Sequence, residues 1–234
     1  MELETELDTM VENWGAEFFG VADLSPAYDA ILEQGGEATA DFPRAISIGI
    51  GLFDSIVDQL PQREERVVAV SYKHHGYDVI NQRLDLIVSR LSSELVRRGY
   101  RALPVPASKI VNDADLLAVF SNKMAAHLAG LGWIGKSCLL VTPERGPRVR
   151  WASVLTDAPL VPTGESMAEQ CGDCQQCVKV CPVQAFTGRP FRASEPREAR
   201  FDVHKCKDYF NQMEEQGLLA VCGMCLYICP IGRN

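Results

Sequence analysis

The sequence predicts an α+β chain of two domains, and three observations carry that prediction. Eight of the nine cysteines lie in residues 171–234. Ahead of them, apolar residues recur at three- and four-residue steps in some stretches and as short β-branched runs in others, which is the pattern of mixed helices and strands. Between the two regions, Asp157-Ala-Pro-Leu-Val-Pro-Thr-Gly-Glu-Ser is polar and marked by proline and glycine, as a domain boundary tends to be. The division falls at 1–160 and 161–234.

Taken in order, Leu3, Leu7, Met10, Trp14 and Phe18 follow helical spacing, so residues 3–18 are expected to form an amphipathic helix. Phe19-Gly-Val-Ala-Asp-Leu reads as a short strand. Gln34-Gly-Gly-Glu is a loop, and Arg44-Ala-Ile-Ser-Ile-Gly-Ile-Gly-Leu has the β-branched bias of a buried strand. Val67-Val-Ala-Val-Ser-Tyr is expected to be a further strand, leading into Lys73-His-His-Gly-Tyr-Asp78. Ile80, Leu84, Ile87, Leu91 and Leu95 then mark a long helix that Arg97-Arg98-Gly99 should end, since cations and glycine suit a helix C-terminus. Residues 100–106 return as an extended segment. Leu117, Phe120, Met124, Leu128 and Leu131 predict another helix, followed by strands at 138–142 and 149–156 about the Pro143–Pro147 turn.

The second region begins Cys171-Gly-Asp-Cys174-Gln-Gln-Cys177-Val-Lys-Val-Cys181-Pro182 and closes on Cys206 and Cys222-Gly-Met-Cys225-Leu-Tyr-Ile-Cys229-Pro230. A cubane cluster needs four thiolates from several directions. Three cysteines at three-residue steps supply one face of such a cage, and in two-cluster ferredoxins the cysteine before the proline serves the other cluster. Cys171, Cys174, Cys177 and Cys229 are therefore expected to hold one [4Fe-4S] cluster, and Cys181, Cys206, Cys222 and Cys225 the other. A single zinc ion needs only four ligands, and disulfides need an oxidising compartment. The acidic start Met1-Glu-Leu-Glu-Thr-Glu-Leu-Asp lacks the basic and apolar regions of a signal peptide, and no twin-arginine leader is seen.

A net charge of −8 with a pI near 5.1 gives no overall positive field to gather phosphates, so no direct nucleic-acid partner is expected. No run approaches the roughly 18 apolar residues of a membrane span, and the location expected is cytoplasmic, with no membrane partner.

Gly130-Leu-Gly-Trp-Ile-Gly-Lys-Ser137 satisfies both G-x-G-x-x-G and G-x-x-x-x-G-K-S. Both patterns cradle phosphate only where a strand enters the loop and a helix leaves it. Here a helix enters and an apolar extended run leaves, so neither ATP nor NAD(P)H is expected to bind.

Together, the Gly130–Lys136 turn, the C-x2-C-x2-C-x3-C-P run, the displaced Cys206 and the closing Cys222-x2-Cys225-x3-Cys229-Pro resemble the epoxyqueuosine reductase family, which is related to the corrinoid-dependent reductive dehalogenases. The resemblance covers most of residues 70–230. It implies a nitroreductase-like α/β cofactor-binding domain followed by a ferredoxin-like double [4Fe-4S] domain, with two [4Fe-4S] clusters passing single electrons to a cobalamin whose Co(I) state reduces a substrate. It places Gly132, Trp133, Ile134, Gly135, Lys136 and Ser137 beside the corrinoid, so that Trp133→Ala or Lys136→Ala should weaken its binding, and lets His75 and Tyr77 approach the same cavity. The partners implied are an external low-potential electron donor and a small-molecule substrate or partner protein. The alternatives are an electron-transfer or activation protein that uses the clusters alone, and a flavin in place of the corrinoid.

Of the remaining candidates, His204 in Asp202-Val-His204-Lys-Cys206 resembles a corrinoid-ligand signature but lacks its glycine. His127 is expected on a helix, and Cys138 as a small buried hydrophobe. The family places a proton-donating aspartate seventeen residues before the turn's tryptophan, at the entry of the preceding helix. In this chain that position is Leu116. Asp113 and Asp115 are near, but one helical step turns a side chain by about 100°. Together with the absence here of the family's tRNA-holding extension, this leads to the expectation that epoxyqueuosine is not reduced.

Overall fold

The computed structural model describes residues 2–233. Helix α1 (Glu2–Asn13) leads into strand β1 (Phe18–Asp23), helices α2 (Tyr28–Gly35) and α3 (Glu37–Ala40), and strand β2 (Arg44–Gly51). Helices α4 (Asp54–Val57) and α5 (Arg66–Ser71) precede a π-helical stretch, Tyr72–Val79, which runs into the long helix α6 (Ile80–Arg97). Strand β3 (Ala102–Val105), helix α7 (Asn122–Leu128), the two-residue strands β4 (Trp133–Ile134) and β5 (Leu140–Val141), and strand β6 (Val149–Thr156) follow. The cysteine region carries α8 (Gln176–Val180), α9 (Val203–Glu215) and α10 (Met224–Tyr227).

The chain divides into two compact units built from interleaved segments. One comprises Met1–Gly51, Ile80–Gly132 and Arg150–Met167, and the other Leu52–Val79, Trp133–Val149 and Ala168–Asn234. The sequence boundary at 160/161 marks where the cysteine region begins. It gives no sign that residues 52–79 and 133–149 pack with that region.

In the first unit the sheet runs β1-β2-β6-β3, with β1 antiparallel to β2 and β3 antiparallel to β6. Seven consecutive residues of β2 are buried, which requires cover on both faces and explains a continuous β-branched run in place of alternation. Helices α1, α6 and α7 pack against these strands. A Cβ at Gly20 would stand 3.0 Å from that of Ala129, so glycine in β1 lets the end of α7 approach. Helix α6 buries Ile80, Leu84, Ile87, Val88, Leu91 and Leu95. It ends as expected, with Gly99 at φ +91°.

Three expected elements differ. The helix expected over residues 3–18 ends at Asn13, and Phe18 instead opens β1. Residues 66–79 are helical, not extended: Val68, Ala69 and Tyr72 are buried while Val67 and Val70 are exposed, which is helical spacing. A short apolar run of this kind suits either state, and here continuity with α6 decides it. The helix expected from Leu117 begins only at Asn122. Before it, residues 112–117 fold back as a tight turn closed by an Asn112–Leu117 bridge, with Leu116 at φ +52°. Among the described residues, no helix is long and apolar enough to cross a membrane.

Candidate metal centre

The second unit gathers the eight cysteines. The Cys174 N–H donates to the Cys171 carbonyl at 2.9 Å, closing the first tight loop. Cys177 lies within α8, and Cys181 caps its end. Burial pushes the Cys177 thiol up to about 11, and Cys171, Cys229 and Cys174 add to the rise, so these three lie near Cys177. Gly223 at φ +66° starts α10, which carries Cys225. A Cβ there would meet Leu60 Cδ1 at 2.7 Å and the Tyr72 hydroxyl at 3.2 Å, so Leu60 and the start of the π-helical stretch close over this loop.

Cys181, Cys206, Cys222 and Cys225 line one cavity with Phe186 and Tyr209, enclosing ≈ 320 Å³ of non-atom space, part of it open to solvent. Burial pushes the Cys206 thiol up to about 11 and also raises Cys222 and Cys225. The Cys181 Sγ accepts from the Ala185 N–H at 3.3 Å, a hydrogen bond of the kind that tunes cluster sulfurs. Two four-cysteine sets, each drawing on both ends of the region, fit two cubanes.

The raised thiols give a measurable pH dependence. In the cluster-free protein, Cys177 and Cys206 hold their protons more tightly folded than unfolded, because their folded values near 11 exceed the ordinary 9.0. The fold is therefore unpenalised below pH 9 and loses stability as pH rises from 9 to 11, where the unfolded chain sheds protons first. Thermal unfolding of cluster-free protein should show this fall, reduced in the Cys177→Ala/Cys206→Ala variant. An equal fall in both proteins would remove the cysteines as its cause.

The Gly130–Ser137 turn has the order expected, with α7 entering and the run that carries β5 leaving, although Trp133–Ile134 within the turn forms β4. Its loop is satisfied internally, the Gly135 N–H donating to Leu139 O at 2.9 Å and the Cys138 N–H to Gly135 O at 2.8 Å, which leaves these amides no phosphate to cradle. His127 is buried on α7, with Nδ1 3.0 Å from Gly132 O. Residues 132–137 are all buried. A Cβ at Gly135 would lie 3.5 Å from Cys171 Sγ, and Lys136 Nζ donates to the carbonyls of Gly172 and Cys174, the latter at 3.3 Å. Burial and then Glu169 raise the Cys171 thiol, while the Lys136 backbone and the Trp133 indole lower it. Lys136 and the Trp133 indole therefore face the first cysteine loop.

His75 lies on the π-helical stretch, not after a strand, with its ring edge-on to Phe53 at 4.9 Å. Its Nδ1 is buried with no hydrogen-bond partner. Tyr77 is exposed, with the Lys73 ammonium 5.6 Å from its ring centroid. Asp115 is exposed on the 112–117 turn of the other unit and accepts from Asn112 Nδ2 at 2.9 Å. The 100° rotation that set Asp115 aside therefore does not apply, because residues 112–117 are not helical. His204 is exposed on the first turn of α9, where Asp202 caps the N-terminus by accepting from the His204 and Lys205 amides. The Asp-x-His pattern is a helix cap. Cys138 is buried, with Sγ 3.9 Å from Arg200 Nη1.

Sequence reasoning missed two arginine contacts, one buried and one half-buried. Arg148, 2% exposed, pairs with Asp54 and Asp58. Arg63 donates to the Tyr209 hydroxyl at 3.0 Å and its charge favours the Cys222 thiolate. Nothing in the local sequence distinguishes either from a solvated arginine.

Residues 170–232 match the family described as 4Fe-4S double cluster binding domain, so the class is an iron–sulfur protein with a double-cluster domain. Along 97% of its length the chain is 25% identical to the epoxyqueuosine reductase of Pseudomonas aeruginosa, of which it spans 62%. The catabolic reductive dehalogenase NpRdhA shares the fold, with a TM-score of 0.68 at 21% identity over 94% of this chain and 30% of that one. The chain is thus similar to the epoxyqueuosine reductases and the reductive dehalogenases, with the α+β fold that its apolar patterning predicts and the double-cluster domain that its cysteine spacing predicts.

One expectation is corrected. An epoxyqueuosine reductase solved with an epoxyqueuosine-modified tRNA-Tyr stem loop has the same fold, with a TM-score of 0.59 at 18% identity over 99% of this chain and 65% of that one. This overturns the exclusion of a nucleic-acid partner. A net charge of −8 is a sum over the surface, whereas RNA binding depends on how charge is distributed locally.

Proposed function

We propose that this protein is a cytoplasmic oxidoreductase in which two [4Fe-4S] clusters, one on Cys171, Cys174, Cys177 and Cys229 and the other on Cys181, Cys206, Cys222 and Cys225, relay single electrons from an external low-potential donor to a corrinoid. The gathering of the eight cysteines into two crossed sets carries this reading, and similarity to reductases along nearly the whole chain supports it. When bound, the corrinoid supplies a strongly reducing metal centre. The chain's own part is to bind and space the clusters, to exclude water from them, and to deliver protons to the substrate. The substrate proposed is a modified nucleoside in tRNA, as for the relative solved with a tRNA stem loop, and Asp115 is its proposed proton donor. The turn at 132–137 would lie beside the corrinoid, with Lys136 and Trp133 turned toward the cysteine loop.

An anaerobic absorption spectrum before and after adding cobalamin tests the cofactor. New corrinoid bands that stay with the protein through gel filtration support the reading. Broad cluster absorption alone would make the protein an electron carrier, and retained flavin bands would place a flavin in the first unit.

A further inference from the structure

Lys136 is 6% exposed, and among the described residues its ammonium pairs with no carboxylate. Its partners are two backbone carbonyls, those of Gly172 and Cys174. Two carbonyls use two of its three donors and do not neutralise its charge, and a buried cation without a counter-charge is strongly disfavoured. The carbonyls it holds belong to the loop between Cys171 and Cys174, and its neighbour Gly135 sits against Cys171 Sγ. The Trp133 indole N–H is buried beside the same sulfur with no oxygen or nitrogen acceptor. An unneutralised cation and an indole N–H turned to the Cys171 sulfur beside one cysteine loop call for an anionic, sulfur-rich group there. A cubane with four thiolates carries net negative charge and becomes more negative on reduction.

We propose that Lys136 is a positioning and tuning residue for the cluster on Cys171, Cys174, Cys177 and Cys229: its ammonium is that cluster's counter-charge and raises its reduction potential. The inference rests on the cluster assignment above. A fixed positive charge stabilises the reduced cluster more than the oxidised one, and charge and hydrogen bonding are the protein's means of setting a cluster's potential. The effect is selective, because the other set has different neighbours: Arg63 by Cys222 and Asp202 by Cys206. The Cys171 loop also holds Glu169, whose carboxylate accepts from the Cys171 N–H at 2.8 Å. Glu169 opposes Lys136, so removing the lysine leaves the first cluster facing an unopposed negative charge.

The test is a redox titration of the full chain, reconstituted anaerobically and followed by electron paramagnetic resonance, for the wild type, Lys136→Gln and Lys136→Arg. The expected result is about eight irons per chain in all three, one cluster's midpoint moved to more negative potential in Lys136→Gln with the other unmoved, and recovery toward the wild-type value in Lys136→Arg. Loss of about half the iron in Lys136→Gln that Lys136→Arg restores also supports the proposal, through positioning. Unchanged midpoints at full iron content, equal shifts in both clusters, or iron loss in both variants would overturn it. A wild type that saturates near four irons instead defeats the cluster assignment, independently of Lys136.

Discussion

Replacing Cys229 with alanine strips iron from the cluster held by Cys171, Cys174 and Cys177 and leaves the second cluster in place, so iron falls from about eight to about four per chain. Sequence proximity argues the opposite, because Cys229 is four residues from Cys225 and 52 from Cys177. The surroundings of the thiols argue for the crossed pairing. Cys229 stands among the neighbours of Cys177, whereas Cys225 lines the cavity with Cys181, Cys206 and Cys222. Helix α10 separates the two roles: Cys225 is within it and Cys229 lies beyond its end at Tyr227. Cys206→Ala should have the complementary effect. Iron and sulfide analysis with the resonance signals of the two clusters distinguishes them, and loss of the same cluster in Cys229→Ala and Cys225→Ala would refute the crossed arrangement.

What the sequence made legible were features whose physical cause is local. Ligand spacing is set by cluster geometry, so the cysteine motifs could be read directly. The apolar stripe of α6 and the β-branched runs of β2 and β6 reflect single-element periodicity. Residues 66–79 were not legible because Val67-Val-Ala-Val is too short to show its period, and only the helical burial of Val68, Ala69 and Tyr72 reveals it. Lys136 sits in a motif that suggests phosphate or a corrinoid, yet its partner is a loop 36 residues away, and no pattern within the motif announces that. Leu116 is a further case. Leucine gives no turn signal, and its φ of +52° arises from the Asn112–Leu117 bridge around it.

That strained turn motivates the largest expected effect on turnover. A bulky residue in the left-handed region costs of order 1 kcal/mol or more, and such strain clusters at functional sites. Here it follows Asp115 directly. The Asn112 side chain anchors the turn from both sides, accepting from the Asp115 N–H at 3.0 Å and donating to the Asp115 carboxylate at 2.9 Å, so the carboxylate is exposed but held. A proton donor for a reduced substrate needs that combination of access and fixed position. If Asp115 serves, Asp115→Asn lowers turnover of an epoxyqueuosine-modified tRNA stem loop by about 100-fold or more, the usual worth of a positioned general acid, while iron content and corrinoid binding stay at wild-type levels. Asp113→Asn, exposed on the same turn, should stay within a few-fold of wild type, which makes it the control for a general loss of charge. Reconstituted wild-type protein that leaves the stem loop unchanged would defeat the proposed substrate. Turnover that survives in Asp115→Asn would keep the substrate and move the proton donor elsewhere, with His75 and its unpartnered Nδ1 the next residue to replace.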